Sequence, residues 1–431
     1  MTTLAEDTTK DIVVFLNDFD QEFADGLQKL SERLGRTLRG VILRDRDLDE
    51  KGLFSPDKQN LFELIVCDFS DDADLHSTIK SLEPNLLLVT CSDDRNQPYL
   101  QRVIPHMPYT LSPSEKSLDW STHKAQMREM LTSYDASLVP KVQHVTAASE
   151  EEIQLALKTL SFPMIIKPTG LAASILVNKV NDEKELRNTL KKSFTKIREI
   201  YKRDRGRGEP SMLIEEFIVG RMHSLDAYVN EFGKVWCLPL LDIKTAYDMG
   251  QKGFSSYQID SHLKLTDDEI EAGYEAAEKA IHALGLRSCV AHVEMYHTAT
   301  GWKIIELGPR AGGQRQDIYA VSYGVDHAYN EFLIKVGLEP EMSTGHKMYT
   351  TAIKFPAQEE GVLEAVEGLE EAQAHPSVHS IVLRVKLGDK MLRNEDGGKI
   401  VVRGLLQNTD REQLEKDIDN VRSMIKIITK N

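Results

Sequence analysis

The distribution of hydrophobic and polar residues in the first part of the chain predicts a small domain of alternating strands and helices. Four short apolar runs, typical of buried strands, are separated by polar segments with helical periodicity. The runs are IVVFL (12–16), GVILR (40–44), LIVCDF (64–69) and NLLLVT (85–90). Strands that alternate with helices favour a parallel sheet, so we expect an α/β domain over residues 1–118.

The rest of the chain predicts two further domains of mixed α and β structure. Residues 119–338 open with one amphipathic helix, LDWSTHKAQMREMLTSYD, and close with a pair of strands. Residues 346–431 combine strand-like runs, beginning with YTTAIKFPA, with a helical segment near the C-terminus. This last α+β segment is too small to hold a site alone, and we expect it to form a wall or lid.

Residues 292–313, HVEMYHTATGWKIIELGPRAGG, read as two strands joined by a tight turn. Side chains alternate between the faces of a strand, so Glu306 is expected to share a face with Ile304. A turn that ends at Gly301 sets Glu294 opposite Glu306, with Cβ atoms ~5 Å apart. Because like charges at that separation destabilise a sheet, the pair predicts a positive group between the carboxylates.

Length and composition limit the classes of protein to consider. A chain of 431 residues is expected to hold two to four domains, and its net charge of −15 argues against nucleic-acid binding. No apolar run approaches the ~18 residues of a membrane span, and the N-terminus has no signal-like pattern, so no membrane partner is expected. The four cysteines lack paired spacing, which favours a reducing cytoplasm over a disulfide framework or a zinc site.

The stretch FPMIIKPTGLAASILVNKV (162–180) has features of a phosphate-binding hairpin. Lys167 ends a strand, and a loop of small residues follows it up to Ser174. Small side chains let backbone N–H groups approach an anion, and a lysine with a serine hydroxyl suits a polyphosphate. The alternative is an ordinary β-hairpin with a solvent-facing lysine, since the Walker A sequence is absent.

The strand MLIEEFIVG (212–220) combines two carboxylates with two apolar side chains at its end. Phe217 and Ile218 could flank a flat ring while backbone groups read the edge of that ring. The alternative is a strand that leaves the core through charged residues.

The order of these stretches resembles that of the ATP-grasp superfamily of carboxylate–amine ligases. ELGPRAGG and the C-terminal run FPAQEEGVLEAVEGLEEAQAHPSVHSIVLRVKLGDKM are most similar to bacterial L-amino-acid (dipeptide) ligases and carnosine-synthase-like proteins. The resemblance implies an ATP-grasp fold, classed as α/β and α+β multidomain. It assigns a Rossmann-like (pre-ATP-grasp) domain to 1–118, a two-part ATP-clamping domain to 119–338, and a small C-terminal α+β lid domain to 346–431.

The resemblance also implies roles for individual residues. Glu294 and Glu306 match Mg²⁺ ligands, with Mn²⁺ as a substitute, and hard oxygen ligands of this kind suit either ion. Arg310 matches an arginine that faces the transferring phosphoryl group, and Gly312 and Gly313 would let substrate approach the backbone. The residues implied in ATP binding are Lys124, Lys167, Ser174, Glu215, Glu216, Phe217, Ile218 and His223.

Several positions leave alternatives open. Lys124 could be one exposed helix charge among several, and His223, which stands near the position of a ribose-binding glutamate, could be a structural histidine. Gly308 replaces an asparagine that supplies a further metal ligand in many members, which questions a two-metal site. The basic run at 191–210 fits either a solvated helix face or a mobile flap. The segment 244–260 is expected at the acceptor pocket, with Lys244 or Lys252 near the γ-phosphate.

The activity implied is ATP-dependent formation of an amide or peptide bond through an acyl phosphate, with release of ADP and phosphate. The substrates would be a small-molecule carboxylate and an amine, such as two amino acids. One alternative is an ATP-grasp carboxylase or purine-pathway ligase, and another is a nucleotide-binding regulatory protein without turnover. Pairing of the N-terminal domain into a homodimer is a further expectation.

Overall fold

The first strands of the chain form the parallel sheet that the sequence predicts. The computed structural model of the protein describes residues 4–19, 21–51, 61–91, 94–171, 174–204, 206–251, 253–343, 345–393 and 398–430. The N-terminal elements are β1 (Ile12–Leu16), α1 (Gln21–Leu34), β2 (Arg39–Asp45), α2 (Arg46–Glu50), β3 (Glu63–Cys67), α3 (Asp72–Leu82), β4 (Leu86–Thr90) and α4 (Gln97–Val103). The sheet order in this part of the chain is β3-β2-β1-β4, and neighbouring strands are parallel. Every residue of β1 is buried, as expected for a strand covered on both faces.

The middle segment contributes strands to two separate sheets. Its elements are α5 (Glu115–Thr122), α6 (Lys124–Asp135), β5 (Val142–Val145), α7 (Glu150–Thr159), β6 (Met164–Pro168), β7 (Asn178–Val180), α8 (Glu183–Asp204), β8 (Met212–Glu216), β9 (Arg221–Val229), β10 (Val235–Cys237), β11 (Leu241–Thr245), β12 (Ser256–Asp260), α9 (Asp267–Ala283), β13 (Cys289–Thr298), β14 (Gly301–Gly308), α10 (Arg315–Tyr323) and α11 (His327–Lys335). The strands β5, β8, β6 and β7 pair in that order as a small antiparallel sheet. The strands from β9 to β14 belong to a larger sheet.

The opening helix of the middle segment is broken, whereas the sequence predicts one continuous helix. His123 has extended backbone angles, with φ −115° and ψ 105°, and separates α5 from α6. The backbone N–H of Lys124 donates to the carbonyl of Thr169 at 2.9 Å instead of continuing the helical ladder. The break places Lys124 at the start of α6, next to the loop that follows β6.

The C-terminal segment contributes strands to the larger sheet, whereas the sequence predicts a separate α+β lid domain. Its elements are β15 (Tyr349–Pro356), β16 (Gly361–Glu367), α12 (Leu369–Gln373), β17 (Val378–Leu383), β18 (Lys390–Met391), β19 (Ile400–Asn408), α13 (Arg411–Met424) and β20 (Lys426–Lys430). In the described residues the large sheet runs β14-β13-β9-β11-β12-β15-β19-β17, with β10 paired to β9. β15 pairs with β12, so the edge of the middle domain's sheet is covered by the C-terminal segment. The domain limits at 118, 338 and 346 stay predictions.

The structure bears on two features raised by the composition, the cysteines and the possibility of a membrane-spanning helix. All four cysteines are free thiols, and Cys67, Cys91 and Cys289 are buried. In the part of the chain that the structure describes, no helix combines the length and the apolar character that crossing a bilayer requires.

One hydrophobic cluster joins the N-terminal domain to the end of the middle segment. Phe332 of α11 is fully buried, and its ring lies 6.1 Å from that of Phe15 and 5.7 Å from that of Phe23. Ala328 and Leu333 belong to the same cluster. This shared core fixes the N-terminal domain against the sheet that precedes α11.

We expect Phe332→Ala to lower the free energy of unfolding by about 3–5 kcal/mol, because it removes a buried ring and leaves a cavity. Phe232→Ala is the matched control, since the Phe232 side chain is 78% exposed and its loss should change stability by less than about 0.5 kcal/mol. Urea denaturation followed by tryptophan fluorescence measures both. Equal stability of the two variants would contradict a shared core.

Candidate active site

The two acidic residues of the β13–β14 hairpin lie opposite each other, as the sequence predicts. Glu294 and Glu306 are cross-strand partners in an antiparallel pair. The prediction that Ile304 shares the face of Glu306 is wrong, because the register shifts by one residue next to this pair and leaves Ile305 without a partner. Ile304 is therefore fully buried in the core, while Ile305 and Glu306 both line a cavity.

Positive groups of the protein contact both carboxylates. Glu294 Oε1 lies 3.3 Å from His292 Nε2 and 3.4 Å from a guanidinium nitrogen of Arg315. Glu306 Oε1 accepts from Lys124 Nζ at 3.2 Å. Burial alone would raise the pKa of Glu294, but the hydrogen bond from His292 and the nearby arginines outweigh burial and lower that pKa to about 2. The Glu294 carboxylate is therefore held in its charged form.

A buried network of three charged residues lies behind these acids. Arg128 Nε donates to Glu215 Oε1 at 2.6 Å, and Lys167 Nζ lies 2.7 Å from Glu215 Oε2. Burial would raise the pKa of Glu215, but Arg128 and Lys167 lower it to about 2. Burial lowers the pKa of Lys167 to about 8, and Arg128 adds to this effect while Glu215 opposes it. Two cations against one carboxylate leave a net positive charge, which suits an incoming anion.

The same network ties the two sheets together. Glu215 belongs to β8 of the small sheet, whereas Arg128 also donates to the carbonyl of Ile305 on β14 at 2.8 Å. Lys124, one helical turn before Arg128, donates to the carbonyl of Leu171 at 2.7 Å. The α6 helix thus places two cations between the sheets, at the mouth of the loop that follows β6.

An apolar cavity separates the sheets. Its charged lining residues include Lys124, Lys167, Glu294 and Glu306. A flat aromatic group fits between such apolar walls, with the few polar groups fixing its orientation. The apolar side chains that line this first cavity include Ile165, Val177, Phe217, Ile218, Met222 and Phe254.

A second cavity, larger than the first and with a more polar lining, adjoins it. Lys124, Ser174, Glu294 and Glu306 line both cavities, so the opposed acids stand where the two meet. The second cavity is also bordered by all three segments of the chain. Residues that line only this cavity include Tyr99, Arg310, Gly313, Arg315, Lys354 and Ile400.

Comparison with known families identifies the middle and C-terminal segments. Residues 160–317 match the ATP-grasp domain, and residues 354–430 match the L-amino acid ligase C-terminal domain 2. The chain carries an ATP-grasp domain. The first matched range contains three of the four strands of the small sheet (β6, β7 and β8), both opposed acids and the buried network's Glu215 and Lys167.

Similar proteins agree with this fold. The structure of an L-amino acid ligase from Bacillus licheniformis superimposes with a TM-score of 0.79, covering 98% of this chain and 100% of that one at 18% identity, so the two chains share their fold. An uncharacterized protein of Sinorhizobium fredii is 24% identical over 285 residues, which are 66% of this chain and 56% of that protein.

Two relatives with named activities match shorter stretches. A phosphoribosylamine–glycine ligase of Streptococcus pyogenes is 27% identical over 233 residues, which are 52% of each chain. An alanine–anticapsin ligase of Bacillus amyloliquefaciens is 26% identical over 198 residues, or 43% of this chain and 41% of that one. The chain thus spans about half the length of the curated relatives it matches.

Most residues predicted to bind ATP line the first cavity of the ATP-grasp domain. Lys167 is buried and paired, so the alternative of a solvent-facing lysine is wrong. Lys124 is also buried and is not one exposed helix charge among several. The predicted residues that line this cavity are Lys124, Lys167, Ser174, Glu215, Glu216, Phe217, Ile218, Glu294 and Glu306.

His223 does not face the first cavity, contrary to the prediction. Met222 and Tyr296 are cross-strand partners that line this cavity, and alternation along β9 points His223 to the opposite face of the sheet. His223 is fully buried there, with its ring 5.3 Å from that of Trp302. Burial, reinforced by Arg221, lowers the pKa of His223 to about 4. The alternative of a structural histidine is the one that fits.

Gly312 is a glycine because of packing, whereas Gly313 lines the second cavity, and its contact with substrate stays a prediction. A Cβ added to Gly312 would lie 2.4 Å from Nδ1 of His292, and its backbone N–H donates to Asp226 Oδ2 at 3.0 Å. The prediction that Gly312 gives substrate access to the backbone is therefore wrong. Gly313 has no heavy atom within 4 Å of an added Cβ.

Other predictions have mixed outcomes. Lys244 lies at 3.7 Å from Asp260 and lines neither cavity, and Lys252 lies outside the described residues. The lysines at the start of the basic run are exposed on α8, in agreement with a solvated helix face. The loop after this helix, at residues 206–208, lines the second cavity.

Sequence reasoning missed three residues that organise the site. Arg315 contacts Glu294, and Arg128 binds Glu215. Asp226 is fully buried on β9 and lies 2.6 Å from His292 Nδ1, so it orients the imidazole toward Glu294. Arg128 could have been found from its i+4 spacing to Lys124, which places both on one face of a helix. Asp226 lies inside an apolar strand, and nothing in the sequence around it indicates a functional role.

The opposed acids suit a hard divalent cation that arrives with other oxygen ligands. Among the described residues, no group of three or more His, Cys, Asp or Glu side chains is placed to hold a metal ion. Mg²⁺ needs only one or two carboxylates when phosphate oxygens and waters complete its octahedral shell. The Glu294–Glu306 pair, shared by both cavities, meets that requirement.

We expect Glu215→Gln to lower the free energy of unfolding at pH 7 by about 3–5 kcal/mol, because two buried cations lose their carboxylate. The pKa of Glu215 is lower in the folded state than its ordinary value of 4.5, so its contribution is complete above pH 4.5 and is lost as the pH falls toward 2. The difference in stability between wild type and variant should therefore shrink below pH 4.5. Urea titrations from pH 7 to pH 3 measure it.

The neighbouring substitution Glu216→Gln provides the control for this prediction. Glu216 is part-exposed and its carboxylate lies 3.4 Å from the exposed Lys141, so a change of less than about 1 kcal/mol is expected. Equal losses from both substitutions, or a Glu215→Gln loss that does not depend on pH, would rule out the proposed role of the buried network.

Proposed function

We propose that the protein is an ATP-dependent carboxylate–amine ligase that forms an amide or peptide bond between small molecules. The observation that carries this proposal is the Glu294–Glu306 pair at the junction of an apolar cavity and a larger cavity with a more polar lining. The match of residues 354–430 to the L-amino acid ligase C-terminal domain favours amino acids as substrates. The likeness to an alanine–anticapsin ligase, an enzyme named for joining an amino acid, points the same way.

The adenine ring of ATP would occupy the first cavity. Phe217 and Ile218 follow β8 on one side, and Met222 lies on β9 on the other. Lys167 and Lys124 stand at the end of the cavity that holds the acids, where the phosphates would lie. The excess positive charge of the Arg128–Glu215–Lys167 network is then offset by the triphosphate.

Glu294 and Glu306 would hold the magnesium ion that accompanies ATP, or Mn²⁺ in its place. When bound, such an ion supplies positive charge that draws electron density from the phosphate oxygens. His292 and Arg315 keep the Glu294 carboxylate charged and oriented, and Asp226 fixes the His292 ring. The number of metal ions stays open, since Gly308 offers no side-chain ligand.

The proposed reaction has two steps. An oxygen of the substrate carboxylate attacks the γ-phosphorus, the bond to the bridging oxygen breaks, and ADP leaves with an acyl phosphate formed. A neutral amine then attacks the acyl carbon, the C–O bond to phosphate breaks, and the amine gives up one proton. Arg310 would neutralise charge on the transferring group and on the tetrahedral intermediate.

Exclusion of water is the further requirement, because an acyl phosphate hydrolyses readily. The second cavity has walls from the N-terminal domain, including Tyr99, and from the C-terminal segment, including Ile400. An enclosure built from three segments supports the proposal of a protected intermediate. The expected homodimer and cytoplasmic location stay predictions.

A ligase acting on a ribosyl amine is the second candidate. It is favoured by the similarity to a phosphoribosylamine–glycine ligase over 52% of the chain. The two candidates differ in the amine, since one uses an amino acid and the other a phosphorylated sugar amine.

The experiment that separates them is a matrix of amino-acid pairs assayed for ADP release, with products identified by mass. We expect ADP release to depend on two amino acids and to yield a dipeptide mass. Release that requires phosphoribosylamine would favour the second candidate. ATP binding without ADP release for any substrate would favour a regulatory protein.

We expect Glu294→Ala and Glu306→Ala each to lower kcat by about 100-fold or more, because each removes a charged ligand at the phosphates. Each should also raise the Mg²⁺ concentration needed for half-maximal ADP release and weaken Mn²⁺ binding measured by electron paramagnetic resonance. Glu339→Ala is the control, since Glu339 is exposed and pairs with Lys234 on the surface. Wild-type turnover in either active-site variant would refute the assignment.

A further inference from the structure

Lys354 is a cation in the wall of the second cavity with no described carboxylate partner. It lies on β15, the first strand of the C-terminal segment, and is half-buried. Its Nζ donates to Ser256 Oγ at 2.6 Å, and no carboxylate of the described residues forms an ion pair with it. Ser256 lines the same cavity. A half-buried ammonium group with only a hydroxyl partner is costly unless an anion joins it.

Other cations surround Lys354 and increase this cost. Arg403 on β19 is its cross-strand partner, so both side chains leave the same face of the sheet. Like charges in that arrangement destabilise a strand pair. Burial, followed by repulsion from Arg315, lowers the pKa of Lys354 to about 7, and Arg403 adds to the effect. Glu294 opposes it, but that carboxylate already contacts Arg315 and His292.

The location of Lys354 separates it from the residues placed at the nucleotide. Lys167 lines the first cavity alone and Lys124 lies where the two cavities meet, whereas Lys354 lines the second cavity alone. An anion bound by Lys354 would therefore lie in the second cavity, on the side of Glu294 and Glu306 that faces away from the nucleotide. Gly398 and Ile400, also from the C-terminal segment, lie in the same wall.

The chemistry of ligation, and thus the proposed function, identifies this anion. The carboxylate of the donor is consumed, because it becomes the acyl phosphate. An amino acid that acts as the amine keeps its own carboxylate throughout and needs a cation for it. We infer that Lys354, with Ser256, binds the free carboxylate of the amino acid that serves as the amine substrate.

The test compares Lys354→Met with wild type, using an amino acid and its α-carboxamide as alternative amines. The variant keeps an aliphatic side chain but loses the charge, so KM for the amino acid should rise about tenfold or more. KM for the carboxamide and KM for ATP should change less than twofold. Lys354→Arg should restore part of the affinity for the amino acid.

Lys244→Met is the matched control, because Lys244 lies on β11, two strands from β15 in the same sheet, has Asp260 nearby and lines neither cavity. It should leave all three KM values unchanged. A wild-type preference for the amino acid over its carboxamide is also required, and this comparison needs no variant. If wild type accepts both amines with equal KM, the inference is overturned.

The remaining outcomes are also decisive. The inference about Lys354, but not the proposed function, is overturned by either of two results for Lys354→Met. One is an unchanged KM for the amino acid, and the other is an equal rise in KM for the amino acid and the carboxamide. A rise confined to KM for ATP would assign the anion to the γ-phosphate and overturn it as well. Absence of amino-acid-dependent ADP release in wild type would instead overturn the proposed function on which the inference rests.

Discussion

The structure depends on the electrostatic repulsion between two carboxylates fixed opposite each other on β13 and β14. Glu294 and Glu306 repel each other at that separation, and backbone pairing keeps them from moving apart. Lys124 on α6 contacts Glu306, whereas His292 on β13 and Arg315 on α10 contact Glu294. Positive side chains from several elements thus offset the repulsion. A divalent cation between the carboxylates would offset the repulsion more directly and would leave these side chains free to contact phosphate.

The second constraint is the buried excess of positive charge beside those acids. Arg128, Lys167 and Glu215 are all buried and together carry a net charge of +1. Burying such a charge is unfavourable by itself, so the network stabilises the protein less than a neutral one would. The same excess favours binding of a polyanion. The excess charge therefore lowers folding stability and raises the affinity for a polyanion. The residues that carry this charge also join the two sheets.

The sequence predicts those parts of this arrangement that follow from local geometry. A tight turn and strand alternation were enough to pair Glu294 with Glu306, and apolar runs were enough to define the N-terminal sheet. The bulge at Ile305 could not be predicted, because either residue beside it could have been the unpaired one. The face of His223 was mistaken because a motif gives order along the chain but does not fix the register of a strand.

Long-range contacts explain the remaining differences. The break at His123 arises because the N–H of Lys124 finds a carbonyl 45 residues away in the sequence, at Thr169. Asp226 was missed because its partners, His292, Gly312 and His327, lie far away in the sequence, and its place in an apolar run resembles that of a core residue. Residues of this kind become visible only when the sheet order is known.

The pairing of β15 with β12 changes what the C-terminal segment can do. A lid attached by a loop could open without breaking regular structure, but β15 shares a ladder of hydrogen bonds with β12 on one side and β19 on the other. Opening it would break the β12–β15 ladder and separate Ala352 and Leu405 from the buried cluster that they share with Ile243 and Ile259. The wall that carries Lys354 is therefore as fixed as the strands that carry Glu294 and Glu306. The small sheet β5-β8-β6-β7 has no strand pairing with the large sheet in the described residues, and it meets the acids through side chains and one helix. Entry of ATP is accordingly easier to reconcile with displacement of the small sheet than with displacement of the C-terminal segment.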